Sequence, residues 1–418
     1  MAEKFIIQGG RPLRGEVEVR GYKNSAGAIL TASLLTEKEV IVDNLPLVED
    51  VSNTIEVLKT LGVKIEWLGE RKLSLRADSI DPQKVDFERI SKTRISVLLI
   101  GALLPRFKYF KIPRPGGDRI GLRPIDVHLS ALKKLGTEIL EKGDIYEFKV
   151  KNLEGREIIL KEFSVTATEN LMMAGVLAQG KTVIKGAAAE PQVQDLAEML
   201  KKMGAKISGV GNHIIFIEGV KKLKGTFHSI VSDPLEAGTF IVAGAVTPGQ
   251  LRVKNIRLEH LDIFLDKLEE IGIKFKKDLN SLIVDYSPNL SPTRIQALPY
   301  PGFPTDLLPI VVPLLTQAEG KSLIHDPLYE NRLNYTQELR KMGADIEIVD
   351  PHRAFIFGKT PLKGVRIESW DIRAGASLVI AGLLAEGQTI IENIYQIDRG
   401  YEKIEERLQK LGADIRRI

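Results

Sequence analysis

Residues 58–65 read LKTLGVKI, and the phrase returns as LKKLGTEI from Leu132, LKKMGAKI from Leu200, LEEIGIKF from Leu268, LRKMGADI from Leu339 and LQKLGADI from Leu408. Each copy has the form of a helix end, a glycine stop and the start of a β-prone run. The glycines at 62, 136, 204, 272, 343 and 412 stand 74, 68, 68, 71 and 69 residues apart. A period of about 70 is too long for a solenoid repeat and suits one small α/β unit used six times. The fold class is therefore α/β, built on six related units.

Working outward from the first copy, Asn24–Leu35 (NSAGAILTASLL) reads as a small-residue-rich, largely buried helix, and Glu39–Asp43 as a strand broken by Asn44-Leu-Pro46. Val51, Ile55, Leu58 and Leu61 form one face of a second helix, and Val63–Trp67 with Lys72–Arg76 make a hairpin. The helix-plus-strand segment recurs as LLIGALLPRFKYFKI, LMMAGVLAQGKTVIKG, FIVAGAVTPGQLRVKN, IVVPLLTQAEGKSLIHD and LVIAGLLAEGQTIIEN. The sixth unit has only the first hairpin arm, Asp414–Ile418, and the missing arm resembles Lys4–Gln8. Two exposed strand edges are most simply satisfied by pairing with each other. This predicts two three-unit domains, 23–232 and a discontinuous one of 1–22 plus 233–418.

A chain of 418 residues exceeds one comfortable core, and 44% apolar with 27% charged residues describes an ordinary globular protein. No stretch approaches the roughly 20 apolar residues of a membrane span, and Met1–Phe5 lacks a secretory pattern, so no membrane partner and a cytoplasmic location are expected. A net charge of +4 is too slight to argue for nucleic acid. With no cysteine, thiolate chemistry and cysteine-bound metals are excluded, and six scattered histidines offer no metal pairing. No cofactor is expected.

Scaffold positions should agree between units, so disagreements mark function. They cluster where the first helix of a unit begins: Gly21-Tyr-Lys23-Asn24, Lys92-Thr-Arg94, Ser164-Val-Thr166, Ser232-Asp233, Phe303-Pro-Thr305-Asp306 and Asp371-Ile-Arg373. A second set lies at or before each unit's second helix: Pro115-Gly-Gly-Asp118 with Arg123, Glu190-Pro191, Glu330-Asn-Arg332 and Asp398-Arg399. Helix N-termini favour anions, and Arg binds carboxylate or phosphate bidentately. Lys23, Arg94, Arg123, Arg332, Arg373 and Arg399 together imply a ligand of several negative charges, although Asp233, Thr305 and Asp371 could equally be helix caps. A ring-shaped clamp on nucleic acid would need a basic stripe on every unit's helices, and these helices are apolar.

Gly21-Tyr-Lys-Asn-Ser-Ala, PGGDRIGLRPIDVHLSALKKLG from Pro115, FPTD at Phe303, ENR at Glu330, DIRA at Asp371 and IDRGYE at Ile397 resemble the UDP-N-acetylglucosamine 1-carboxyvinyltransferase family along essentially the whole chain. The resemblance implies two inside-out α/β barrels, each of three units with buried helices and outward sheets, and substrates bound between the domains. It implies transfer of the enolpyruvyl group of phosphoenolpyruvate to the 3′-hydroxyl of UDP-N-acetylglucosamine with release of phosphate. That is the first committed step of peptidoglycan synthesis, and so bears on cell shape and division. By the same carry-over, Lys23, Arg123 and Arg399 would hold phosphoenolpyruvate, and Asp306 would take the hydroxyl proton. Asn24, Arg94, Ser164, Val165 and Thr305 would contact the sugar nucleotide, with Asp126 and Val127 near its uracil, and Pro124, Ile125, Thr166 and Leu328 would also bind substrate. Asp371 and Arg373 would respond to closure, and Arg332 would steady the second domain's face.

Most members carry Cys where this chain has Asp118. A carboxylic acid can donate a proton to C3 of the enol if its site is desolvated, so Asp118 stands as the acid on a loop, Pro113–Pro124, suited to act as a lid. Without the cysteine that fosfomycin alkylates, the enzyme is expected to be insensitive to it. Glu162, Ala189 and Pro234 also depart from positions where the family has Lys or Arg. Two alternatives follow: a different acceptor, such as shikimate 3-phosphate, or a non-catalytic paralogue that binds sugar nucleotides.

Overall fold

A computed structural model describes residues 3–91, 93–117, 120–121 and 123–418. The chain forms two compact units. Unit 1 comprises Met1–Arg20, Arg119–Leu122 and Ser232–Ile418, and unit 2 comprises Gly21–Asp118 and Arg123–Val231.

Among the described residues there are five four-stranded sheets and one three-stranded sheet. One strand order recurs in the four-stranded sheets. In the first, Thr226–Ser229 runs parallel to Val40–Asp43, which pairs antiparallel with Lys72–Arg76, which in turn pairs with Lys64–Gly69. The sheet of Tyr109–Pro113, Ile145–Val150 and Thr137–Lys142 has the same order without the parallel strand. In the sixth, Phe5–Gln8 supplies the second hairpin arm, pairing Phe5 with Arg417 on one side and with Ile391 on the other. Three of the parallel strands, Glu157–Ile159, Arg294–Gln296 and Arg366–Glu368, are too short to carry a period-2 signal.

The repeated phrase has a backbone cause. All six glycines adopt φ between +97° and +106°, where any other L-residue is strained. In five copies the amide after the glycine donates back to the carbonyl of the leucine that opens the phrase: Val63 to Leu58, Ala205 to Leu200, Ile273 to Leu268, Ala344 to Leu339 and Ala413 to Leu408, at 2.9–3.1 Å. This helix stop closes an otherwise orphaned carbonyl and turns the chain into the hairpin.

A second device follows the first strand of a unit. Asn44, Asn255 and Asn393 have φ of 55°, 58° and 57°. Their side-chain amides donate to the carbonyls of Ile230, Val19 and Ser369 at 2.8, 2.8 and 2.9 Å, clamping the end of the neighbouring parallel strand. Gly186, φ 72°, stands at this position in the third unit and Asp326 in the fifth.

In unit 1, every residue of Pro234–Val246 and of Leu308–Leu315 is buried, as is nearly all of Ile372–Leu384, and the three helices pack on one another. A helix apolar all round belongs in a core. Gly238 and Gly375 let other segments close on these helices, because a Cβ there would lie 2.6 Å from the side chain of Leu307, in the turn before Leu308–Leu315, and 2.4 Å from that of Ile397, in the short helix Tyr395–Asp398. In unit 2 the corresponding helices are Lys23–Ala32, Leu99–Leu103 and Val165–Gly175. The first helix starts and ends slightly earlier than expected, and Ser33–Leu35 tightens into a 3-10 turn.

Candidate active site

In unit 2, Gly21 sets the start of the first helix. A Cβ there would lie 1.9 Å from the Asn44 carbonyl oxygen, so no side chain fits. Two residues on, Lys23 is 7% exposed and its Nζ donates to Asp50 Oδ2 at 2.7 Å; Asp50 is 4% exposed. Nothing in the sequence separated Asp50 from an ordinary acidic residue in a first helical turn. Asn24 is half-buried and donates to the Tyr22 hydroxyl at 3.2 Å.

Arg94 precedes the turn Ile95–Leu98 and donates to the backbone carbonyls of Arg123 at 2.6 Å and Pro124 at 3.2 Å. The guanidinium thereby fastens the segment Arg123–Val127, where Pro124 and Asp126 are exposed and Ile125 is buried. Gly117, at φ 132°, is seated against Arg94 and Arg123. Ser164 caps helix Val165–Gly175, accepting from the Ala167 amide at 3.4 Å. Thr166 shares a 2.8 Å hydrogen bond with His128 Nε2. Burial, and after it the Arg94 charge, pushes the His128 imidazole down to about 3, so it stays neutral at working pH. Glu162 is exposed and Ala189 buried. Asp118 and Lys92 lie outside the described residues.

In unit 1, Phe303 anchors the FPTD segment in the core and Asp306 stands half-buried beyond it. Asp306 accepts from Arg332 Nη2 at 2.5 Å and from Arg373 Nε at 3.4 Å. Arg332 also donates to the Thr305 carbonyl at 3.3 Å and lies 3.9 Å from Asp371. Burial alone would lower the pKa of Arg332, but the carboxylates of Asp306, Asp371 and Asp326 outweigh it and hold it above its ordinary value. Asp371 caps helix Ile372–Leu384, accepting from the amides of Arg373 and Ala374 at 2.8 and 3.0 Å. Arg373 lies over the Tyr401 ring, 5.1 Å from its centroid. Arg399 is 8% exposed and donates to Gln396 Oε1 at 3.1 Å. Leu328 is exposed. Ile120 and Gly121 group with this unit, where the Asn331 amide donates to the Ile120 carbonyl at 3.1 Å.

Of the three residues that could have been caps, Asp233 and Asp371 are caps and Thr305 is not. The Thr305 hydroxyl donates instead to Asp326 Oδ2 at 2.5 Å. Asp233 accepts from the Leu235 and Glu236 amides at 2.8 and 3.2 Å. Burial raises its carboxyl to about 6, against the pull of Arg373 and with the help of Glu236. An acid whose folded pKa exceeds its unfolded value contributes stability below about pH 4 that is lost as pH rises through about 6. Asp233→Asn keeps a capping oxygen. It is expected to be more stable than wild type at pH 8 by up to about 3 kcal/mol, with no such gain at pH 4. Urea unfolding at both pH values checks this, and an equal difference at the two would refute it.

The chemistry available is plain. Unit 1 presents a carboxylate oriented by two guanidiniums and, in the same unit, a further buried cation at Arg399. Unit 2 presents a buried ammonium at Lys23 and a basic segment from Arg94 to Arg123. These are groups for binding a polyanion and accepting a proton.

The sequence pattern of the EPSP synthase (3-phosphoshikimate 1-carboxyvinyltransferase) family matches residues 7–408. A UDP-N-acetylglucosamine 1-carboxyvinyltransferase of Koribacter versatilis is 44% identical, over 100% of this chain and 96% of its own. Another, UDP-N-acetylglucosamine 1-carboxyvinyltransferase 1 of Caldanaerobacter subterraneus subsp. tengcongensis, is 44% identical over the full length of both. Among solved structures, the enolpyruvyl transferase NikO of Streptomyces tendae superposes with a TM-score of 0.91 at 22% identity, covering 100% of this chain and 99% of its own. An EPSP synthase of Acinetobacter baumannii superposes with a TM-score of 0.77 at 19% identity, covering 100% of both.

Proposed function

Because the chain belongs to the EPSP synthase family, we infer that it is an enolpyruvyl transferase whose substrates are phosphoenolpyruvate and UDP-N-acetylglucosamine. The observation that carries this reading is the end-to-end identity of 42–44% with relatives bearing the name of that activity. The reaction commits the sugar nucleotide to peptidoglycan synthesis. The finer fold reading, two inside-out α/β barrels of three units each, belongs to the same proposal and is supported by the common strand order of the sheets.

In addition, the acceptor's 3′-oxygen bonds to C2 of phosphoenolpyruvate, its proton leaves, and C3 gains a proton. In elimination, C3 gives up a proton and the C2–O bond to phosphate breaks. Asp306 takes the hydroxyl proton, and its two guanidinium partners fix the direction in which its carboxylate faces. Lys23, Arg123 and Arg399 bind the carboxylate and phosphate of phosphoenolpyruvate. Asn24, Arg94, Ser164, Val165, Thr166, Thr305 and Leu328 contact the sugar nucleotide, and Pro124–Val127 its base. Asp118 supplies the proton to C3. Asp371 and Arg332 hold Arg373 and Asp306 in place.

Phosphate release from phosphoenolpyruvate should require UDP-N-acetylglucosamine and should not occur with shikimate 3-phosphate in its place. Release with shikimate 3-phosphate alone would overturn the assignment. Fosfomycin should leave turnover unchanged after prolonged incubation, since a carboxylate is a far poorer nucleophile than a thiolate. Asp118→Cys should become time-dependently inactivated and gain the mass of the adduct. A covalent adduct on the wild-type chain would contradict this.

A further inference from the structure

Asp326 stands at the position where three other units carry a clamping asparagine, directly after the strand Gly320–His325. The asparagines are donors to a neighbouring strand. Asp326 is an acceptor, and its side chain serves a different purpose. It is 0% exposed, and its two oxygens take the Thr305 hydroxyl at 2.5 Å and the Leu328 amide at 3.0 Å. Its own backbone is held on both sides by His352, whose carbonyl accepts from the Asp326 amide at 2.8 Å and whose Nδ1 meets the Asp326 carbonyl at 2.7 Å.

A buried carboxylate is costly to desolvate, and a scaffold role alone does not call for one, since asparagine or glycine fills this position in four other units. What the carboxylate adds is a fixed link between two segments. One carries Thr305 and, next to it, Asp306. The other carries Leu328 and leads to Arg332, which itself grips Asp306. We propose that Asp326 is a positioning residue: by holding Thr305 through its hydroxyl and Leu328 through its amide, it sets the direction from which Asp306 meets the acceptor hydroxyl. This rests on the reading of the chain as a transferase acting on UDP-N-acetylglucosamine.

The test is a double-mutant cycle on the full chain, with kcat and both KM values from phosphate release and UDP-N-acetylglucosamine binding from calorimetry. Asp326→Asn keeps the shape but turns an amide donor towards one of the two donors it must receive. Thr305→Val removes the hydroxyl at constant volume. Each is expected to lower kcat by roughly 30- to 100-fold with the KM for phosphoenolpyruvate within about threefold, as for a sub-ångström misplacement of a reacting group. The double variant should fall no further than the worse single one. Thr305→Ser should stay at least about tenfold faster than Thr305→Val, and this comparison stands even if Asp326→Asn fails to fold. Losses that multiply in the double variant, or Thr305→Ser as slow as Thr305→Val, would overturn the proposal while wild-type turnover upholds the assigned reaction. A wild-type enzyme that releases no phosphate with this acceptor would overturn the assigned reaction and the proposal with it.

Discussion

Asp306→Asn is expected to lower kcat by roughly 10³-fold, within the range for loss of a positioned general base, while the KM for phosphoenolpyruvate moves little. The reason is geometric. Asp306 is held by Arg332 at 2.5 Å and Arg373 at 3.4 Å, and an amide can still accept from one guanidinium, so the side chain stays in place without its basicity. Arg332, 2% exposed, would keep the more distant Asp371 at 3.9 Å and the charge of Asp326. A loss of about 2 kcal/mol of stability is therefore expected beside the loss of rate, below the full cost of stripping a buried ion pair because the amide oxygen remains. Single-turnover phosphate release and urea unfolding of the same preparation separate the two. Turnover within tenfold of wild type would remove Asp306 from the role of base.

The second large effect is at Lys23. Its ammonium lies 2.7 Å from Asp50, and both side chains are almost wholly buried. Lys23→Met would take the ammonium away from the buried Asp50 carboxylate, and breaking a buried ion pair typically costs about 3–5 kcal/mol. It would also remove a cation assigned to phosphoenolpyruvate, so a fall of at least about 100-fold in kcat/KM for that substrate is expected. Adding Asp50→Asn should restore most of the stability, because the buried negative charge that Lys23 balanced is gone, and none of the activity. If the double variant regained turnover, Lys23 would be a structural partner of Asp50 and nothing more. If it stayed as unstable as the single variant, the ion pair would not be what the fold depends on there.

Much of this was legible in the residues, for identifiable reasons. The helix stops could be read because a left-handed φ restricts the choice to glycine and leaves the same letter at 62, 136, 204, 272, 343 and 412. The pairing of Phe5–Gln8 with Asp414–Arg417 could be read because two half-hairpins imply each other. Four of the five parallel strands could not, because three or four residues contain too little alternation to stand out. Asp306, Arg332, Arg373 and Asp371 were visible as departures from the repeat, and the structure brings these four together within unit 1. Asp50 and Asp326 were not. Each looks like an acidic residue at a turn or helix start, and only burial beside a named donor distinguishes it. The extra grip of Arg94 on Arg123 and Pro124 was hidden because it runs to backbone carbonyls, which every residue has.

The strand Phe5–Gln8 is made well before its partners, Gln388–Glu392 and Asp414–Arg417, which lie near the other end of the sequence. At roughly 5–20 residues per second, this apolar segment, with Phe5 and Ile7 fully buried in the finished protein, waits on the order of 20–80 s for them. Residues Gly21–Val231 close their sheets among themselves and can fold while synthesis continues. Nascent chains stalled before residue 388 should therefore carry a protease-resistant body and a leading strand available to chaperones or to a neighbouring chain, and that waiting edge is where misassembly would begin.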